Sequence, residues 1–472
     1  MIASFLEGQI KENFSFPPTP DQENVLKRFS DFLFSPSADG VFVLRGYAGT
    51  GKTSLVAALV KTLDVLKQRV VLMAPTGRAA KVFAAYAGHP AFTIHKRIYR
   101  QRTFSPDMTG FAAAPNLSKR TLYIVDEASM IANDGYSGSA FGTGRLLDDL
   151  VHFVYSAEGC RLLLVGDTAQ LPPVGEDESP ALDTSVLQGY GLEVTEADLT
   201  QVVRQAEGSG ILWNATALRR LIVAGDCAAL PRLRVSGFAD IRVLPGDELI
   251  ETLGNCYDAD GLEETIVICR SNKRANIYNN GIRARVLWRE EELESGDLIM
   301  VARNNYYWGE KTEGVDFLAN GELAVVRRVR NVRQLYGFRF ATVELTFPDC
   351  GEVELEANLL LDALHTDAPA LPRADVERLC QSVLEDYADI GQQRERMKRL
   401  KQDPYYNALQ AKYAYAVTCH KAQGGQWRNV FLDQGYLSAE QLTPDYFRWL
   451  YTAFTRATGT LYLVNYPADK IC

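Results

Sequence analysis

Residues Gly46 to Thr53 read Gly-Tyr-Ala-Gly-Thr-Gly-Lys-Thr, and no other stretch restricts the fold as much. They fit the phosphate-cradling pattern G-x-x-x-x-G-K-[ST]. An apolar run, Val41-Phe42-Val43-Leu44, precedes them and predicts a buried strand, and Leu55, Leu59, Leu63 and Leu66 follow at helical spacing. Strand, glycine-rich turn and helix in that order begin a parallel α/β sheet. The glycines let backbone N–H groups turn toward an anion, and the helix N-terminus adds its positive dipole. Gly46, Ala48, Gly49, Thr50, Gly51, Lys52, Thr53 and Ser54 are therefore the nucleotide-binding candidates. Lys52 is expected on the outer phosphates and the Thr53 hydroxyl on Mg²⁺. Stripped of strand and helix, these residues would read as a plain turn. In this context they predict binding and hydrolysis of a nucleoside triphosphate.

Hydrolysis also needs an acid to hold the metal and a base for water. Leu122-Tyr-Ile-Val125 predicts a second buried strand, and it ends in Asp126-Glu127. Asp126 is the expected metal ligand and Glu127 the expected base. A third strand, Arg161 to Val165, runs into Gly166-Asp167-Thr-Ala-Gln170-Leu-Pro-Pro-Val-Gly175. Its prolines and glycines fix a loop at the carboxyl edge, where open α/β sheets bind ligands. Gln170 can donate and accept there, toward a γ-phosphate and toward a neighbouring element. A rigid connector is the plainer alternative.

At 472 residues the chain calls for roughly two to four domains. Its eight cysteines form no C-x-x-C pair and its five histidines are scattered, so reduced thiols in a cytoplasmic protein are expected. Met1 to Phe14 lacks the basic start and apolar core of a secretory signal. No apolar run approaches the roughly 18 residues of a membrane span. The net charge of −9 speaks mildly against a dedicated nucleic-acid binder, although a basic channel can be local on an acidic surface.

Taken in order, these segments resemble a superfamily 1 helicase, and more of its motifs follow. Thr19-Pro-Asp-Gln22 is similar to the adenine-reading Q motif, Gly46–Thr53 to motif I, Ala74-Pro-Thr-Gly-Arg-Ala-Ala-Lys81 to motif Ia and Thr93-Ile-His95 to motif Ib. Asp126-Glu-Ala-Ser129 resembles motif II, Gln170-Leu-Pro-Pro motif III and Leu199-Thr-x-x-x-Arg204-Gln205 motif IV. Val417-Thr418-Cys-His420-Lys-Ala-Gln423-Gly424 fits motif V, and Tyr451-Thr-Ala-Phe-Thr-Arg456-Ala fits motif VI. The Gln-Leu-Pro-Pro form is that of the RecD/Dda branch, superfamily 1B.

The resemblance implies an α/β fold of two RecA-like parallel-sheet lobes and an ATP- and Mg²⁺-dependent motor. It implies 5′→3′ movement on single-stranded DNA, opening of duplex junctions, and service in DNA repair, recombination or replication. It implies catalytic roles for Lys52, Glu127, Gln170, Arg204 and Arg456, metal ligation by Thr53 and Asp126, and adenine reading by Gln22. The arginines also fit the physics, since a guanidinium from a second lobe neutralises charge that spreads during phosphoryl transfer. DNA contacts are assigned to Pro75, Thr76, Gly77, Arg78, Thr93, His95, Thr418 and His420. A monomer, with single-strand-binding or recombination proteins as partners, is expected. A nucleotide-binding regulatory subunit of a recombination or nuclease complex, and an RNA motor, are the rival readings.

Two insertions are expected. One, about residues 98–119, would form a β-hairpin pin with Phe104, Met108 and Phe111 as a duplex wedge; a loop folded on the first lobe is its alternative. The other, 317–410, alternates apolar and polar residues over Phe338–Phe347 and Glu352–Leu355, with Pro348-Asp-Cys-Gly351 as the turn. It resembles the SH3-like barrel of this branch. An amphipathic helix follows through Val376, Leu379, Val383 and Tyr387, then a basic stretch from Arg394 to Lys401 that is either solvated surface or a nucleic-acid contact. The expected domains are 1–200 and 201–316 for the first lobe and the start of the second, 317–410 for the insertion, and 411–472 for the rest of the second lobe.

Overall fold

The computed structural model describes residues 2–14, 16–101, 111–135, 142–203, 208–309, 311, 317–348 and 351–472. Helices α1 (Ile2–Glu12) and α2 (Pro20–Phe34) lead into strand β1 (Gly40–Gly46), the strand expected before the phosphate loop. Then come α3 (Lys52–Val65), β2 (Arg69–Ala74), α4 (Gly77–Ala87), β3 (Ala91–Thr93) and α5 (Ile94–Ile98). A short antiparallel pair, β4 (Tyr99–Gln101) and β5 (Phe111–Ala113), forms the base of the first insertion. Phe104 and Met108 lie outside the described residues. Next are β6 (Thr121–Val125), α6 (Leu146–Tyr155), β7 (Arg161–Gly166), α7 (Thr184–Gly189) and β8 (Glu193–Leu199).

These strands make a six-stranded sheet in the order β3-β2-β6-β7-β1-β8, with every pairing parallel. A parallel sheet with helices on both faces needs strands with continuous apolar runs, and residues 41–44 of β1 and 122–125 of β6 supply them. Side chains alternate along β1. Val41 and Val43 enter one core with Val125, Leu162 and Leu164, while Phe42 and Leu44 enter the other with Leu55, Leu59 and Val165. Each such side chain contributes about 1.5–3 kcal/mol by leaving water. That burial fixes the carboxyl ends of β1, β6 and β7 side by side.

The second half opens with α8 (Gly210–Ala224), β9 (Ile241–Leu244), α9 (Leu249–Asp260), β10 (Thr265–Cys269) and α10 (Asn272–Arg285). An antiparallel section follows: β11 (Leu298–Val301), β12 (Leu323–Leu335), β13 (Phe338–Phe347) and β14 (Val353–Leu360), then α11 (Asp362–His365), α12 (Arg373–Glu385), α13 (Gln393–Lys401) and β15 (Ala411–Tyr413). The chain returns through β16 (Ala416–Thr418), α14 (Cys419–Ala422), β17 (Trp427–Asp433), α15 (Pro444–Phe454) and β18 (Ala457–Val464). A second parallel sheet results, in the order β16-β10-β17-β18-β9.

The antiparallel sheet runs β14-β13-β12-β11-β15. It reaches past the expected limits of 317 and 410, because β11 and β15 both pair within it. The strand expected over Glu352–Leu355 extends to Leu360, carried by alternation of Leu355, Ala357 and Leu359 that small and amide residues had blurred. At the sheet's outer edge Leu359 bridges Leu409, just ahead of β15. Only Ala414 and Tyr415 separate β15 from β16. The Tyr415 hydroxyl accepts from the Leu298 N–H and donates to Asp297, which also pairs with Arg283 and Arg289. Among the described residues, no helix is long and apolar enough to cross a membrane.

Candidate nucleotide site between the two parallel sheets

The phosphate loop leaves β1 and turns through Gly49 and Gly51, both at positive φ (74° and 82°). Gly51 caps α3 with no side chain on the helix's first N–H groups, which leaves those donors open to an anion. A Cβ on Gly51 would lie 2.5 Å from Gln22 Nε2. Thr53 and Ser54 stand exposed in the first turn of α3. Lys52 Nζ donates to the Gly46 and Tyr47 carbonyls at 2.5 and 3.0 Å, and it lies 4.0 Å from Asp167 Oδ2. The ammonium thus lies over the loop whose phosphates it is expected to meet.

Asp126 and Glu127 follow β6. Glu127 sits in the left-handed region at φ 52°, sparsely populated for a residue with a Cβ, and its N–H donates to Asp126 Oδ1 at 2.9 Å. The other Asp126 oxygen accepts from the Tyr86 hydroxyl of α4. Burial, and then the neighbouring Glu127 carboxylate, hold the Asp126 carboxyl well above its ordinary range. Two carboxylates brought together at the end of a buried strand suit a divalent cation, with the exposed Thr53 hydroxyl as a further oxygen donor.

Arg456 comes from the opposite wall, just after α15. It is buried, and its Nη1 lies 3.7 Å from Glu127 Oε1. Its Nε and Nη1 also donate to the Thr452 and Gly425 carbonyls, and its Nη2 to the Thr455 hydroxyl. Arg456 and Glu127 lie 329 residues apart in the chain; the fold closes the gap. Gln170 is buried with no partner on Oε1, leaving an acceptor free beside a cavity of about 330 Å³. The next peptide is held from the other side: the Leu171 N–H donates to Thr452 Oγ1 at 2.9 Å, and Gln423 Nε2 donates to the Leu171 carbonyl at 2.7 Å.

Gln22 lies beneath the phosphate loop. Its Oε1 accepts from the Thr19 N–H in a capping box, and its Nε2 donates to the Thr50 carbonyl at 3.2 Å. The amide expected to read adenine is thus engaged at both ends. Arg204 lies outside the described residues.

The residues assigned to DNA divide by environment. Thr76 and Thr93 each spend the hydroxyl as a helix cap, on α4 and α5. His95 packs against the Tyr99 ring, and burial holds its pKa down to about 4, so it is neutral near pH 7. Arg78 stacks on Trp427 at 4.2 Å and donates to the Gln426 carbonyl, joining the two halves. Pro75 leads into Thr76, and Gly77 faces the Glu322 side chain. Thr418 ends β16 just ahead of α14, and His420 is exposed on that helix. Gly424, at φ 73°, comes so close to α4 that a Cβ there would sit 2.8 Å from Ala79 Cβ and 3.1 Å from Thr76 Oγ1. Motifs Ia and V are therefore in direct contact. Of the wedge residues, Phe111 has its backbone in β5, paired with Gln101.

Three residues that the motifs left without a role meet at the site. Tyr86 holds Asp126. Asp167, wholly buried, faces Lys52, and its position at the end of apolar β7 repeats that of Asp126 on β6, a signal the sequence did carry. The Tyr451 hydroxyl donates to Asp167 Oδ2 at 2.6 Å and accepts from the Ala48 N–H at 2.9 Å. A tyrosine within an apolar helix reads as core, so no local signal marks it.

Known families match segments from both halves of the chain. A family described as an AAA domain matches residues 19–238, and one described as a UvrD-like helicase C-terminal domain matches 413–464. An uncharacterized protein of Acanthamoeba polyphaga mimivirus is 23% identical, over 89% of this chain and 94% of its own length. The ATP-dependent RecD2 DNA helicase of Deinococcus radiodurans is 26% identical, over 66% of this chain and 40% of its own length. The ATP-dependent DNA helicase dda of Enterobacteria phage T4 is 25% identical, over 55% of each chain. The matched part thus spans about half or less of each of these two named relatives. Among solved structures, a Pif1 helicase from Bacteroides in complex with ADP-AlF3 and ssDNA aligns with a TM-score of 0.47 at 14% identity, covering 97% of this chain and 95% of that one.

Proposed function

We propose, for a chain that is a superfamily 1 helicase of the RecD/Dda type, an ATP-driven motor that moves 5′→3′ on single-stranded DNA and opens duplex. One observation carries the motor reading: Arg456 of one half lies 3.7 Å from Glu127 of the other, at the edge of the phosphate loop. Two sheets then share one reaction site, so the state of the nucleotide bears on how the halves sit together. The phosphate loop binds the triphosphate through its open N–H groups, and Lys52 swings from the Gly46 and Tyr47 carbonyls to the outer phosphates. Glu127 orients the attacking water and takes its proton, and Gln170 Oε1 offers that water an acceptor. Arg456 moves from Glu127 to the charge that develops on the transferring group. Thr53 and Asp126 would hold Mg²⁺, which neutralises phosphate charge when bound.

DNA rather than RNA follows from the named relatives. The strand's path lies across motifs Ia and V, where Gly424 touches Thr76. Backbone contacts there would give salt-dependent binding with little sequence preference. Arg78 would trade its Trp427 and Gln426 partners for phosphate, and Gln22 would trade the Thr50 carbonyl for adenine. The parallel sheets serve as RecA-like lobes, the antiparallel sheet with its Leu359–Leu409 bridge as an SH3-like barrel, and the β4–β5 base as the root of the pin.

The test is an unwinding assay of the chain alone, with ATP and Mg²⁺, on matched 5′-tailed and 3′-tailed duplexes. Opening of the 5′-tailed substrate, with hydrolysis stimulated by single-stranded DNA, is expected. Preference for the 3′ tail would reverse the polarity, and absence of both activities would leave the regulatory-subunit reading.

A further inference from the structure

We propose that Tyr451 is a positioning residue that ties the phosphate loop to the second lobe, so that closing the cleft sets the shape of the loop. The inference rests on the motor reading and adds a residue to it. A core tyrosine commonly finds one hydroxyl partner. Here the hydroxyl has two, the Ala48 N–H and Asp167 Oδ2, and both belong to the nucleotide site of the other lobe. They lie 403 and 284 residues away in the chain, so nothing local brings them together.

The end of α15 makes its contacts as a set. Tyr451 meets the phosphate loop and the end of β7, Thr452 holds the Leu171 N–H after β7, and Arg456 faces Glu127 after β6. Ala48 is a donor within the loop that must cradle phosphates, and Asp167 Oδ2 is the carboxylate oxygen 4.0 Å from Lys52. A single hydroxyl therefore sits between the loop's backbone and the counter-ion of its lysine. With the cleft open, the Ala48 N–H and Asp167 lose this partner. With the cleft closed, the phenol restores it, and the loop and Lys52 are held in one arrangement.

The substitution Tyr451→Phe keeps the ring and removes the hydroxyl. With saturating single-stranded DNA, kcat for ATP hydrolysis should fall about tenfold or more, the size expected when a bond to a buried charged group is lost. Affinity for a fluorescent ADP analogue, measured without DNA, should change far less, since closure is not required for it. Asp167→Asn supplies the second arm. Adding Tyr451→Phe to that variant should cost much less than it costs the unaltered chain, because the tie is already weakened. An unchanged kcat in Tyr451→Phe, or a full-sized further loss in the double variant, overturns the proposal. If the unaltered chain failed to hydrolyse ATP with DNA, the motor reading itself would fall, so the two failures are distinguishable.

Discussion

Helices α3 and α10 occupy corresponding places, each following a strand interior to its parallel sheet, and their first turns are built in opposite ways. Ser271 caps α10, accepting from the Arg274 N–H. Gly51 caps α3 and offers no side chain. Hydroxyls also cap α4, α5, α8 and α15. A capped helix has spent its N-terminal donors on itself; an uncapped one keeps them for a ligand. One sheet thus offers open donors to an anion, while the other contributes charge and contacts from its own strand and helix ends. The asymmetry explains why a single nucleotide site serves two similar sheets.

The comparison breaks hardest at the far wall. Arg456→Ala should lower kcat for ATP hydrolysis by about 10³-fold or more while nucleotide binding persists; equal loss of both would make the arginine a structural pin. Lys52→Ala should cost about 10²–10³-fold in kcat/KM, the scale of losing one preorganised donor to the transition state, checked by steady-state kinetics with DNA.

Closing the open end of α3 gives the next largest effect. In Gly51→Ala the new Cβ meets Gln22 Nε2, at a residue already held at φ 82°. The left-handed backbone alone costs about 1–2 kcal/mol. Nucleotide titration and thermal melting should both show the loss. At α10 the same comparison is sharpened, because Ser271→Ala should cost about 1 kcal/mol of stability and leave KM for ATP unchanged. A changed KM would mean that the second sheet's helix end also serves the ligand.

The last effect concerns pH. His95 has its folded pKa depressed to about 4, below the ordinary 6.5 or so of the unfolded chain. Between those values the unfolded chain binds the extra proton, so this contribution is complete above pH about 6.5 and disappears as pH falls through about 4. His95→Gln should flatten that part of the stability profile, as followed by urea unfolding from pH 7 to 4.

What could be read from sequence follows from how local each signal is. The first sheet was legible because β1, β6 and β7 each carry an unbroken run of four apolar residues that leads into a motif loop. The second sheet was legible through its motifs, since motif V begins within β16 and motif VI runs into β18. The antiparallel sheet was placed with its ends too short, since β11 and β15 are runs of only four and three residues, β15 with a lysine at its centre, that gain identity only from their partners. At the site, ligand chemistry could be assigned from motif spacing, but not the bonds that side chains make meanwhile. Gln22 is engaged at both ends, and Tyr86 and Tyr451 act through hydroxyls whose partners lie 40 and 403 residues away.

The two-residue passage from β15 to β16, with Tyr415 pinned to Asp297 and Leu298, leaves no slack between the insertion and the lobe that carries it. Such a joint has no hinge. If the proposed closure rotates that lobe, the antiparallel sheet would turn with it, and arc length grows with distance from the axis. The antiparallel sheet is in this sense the long arm of a crowbar, and a load placed on its tip is felt as torque at the fuel.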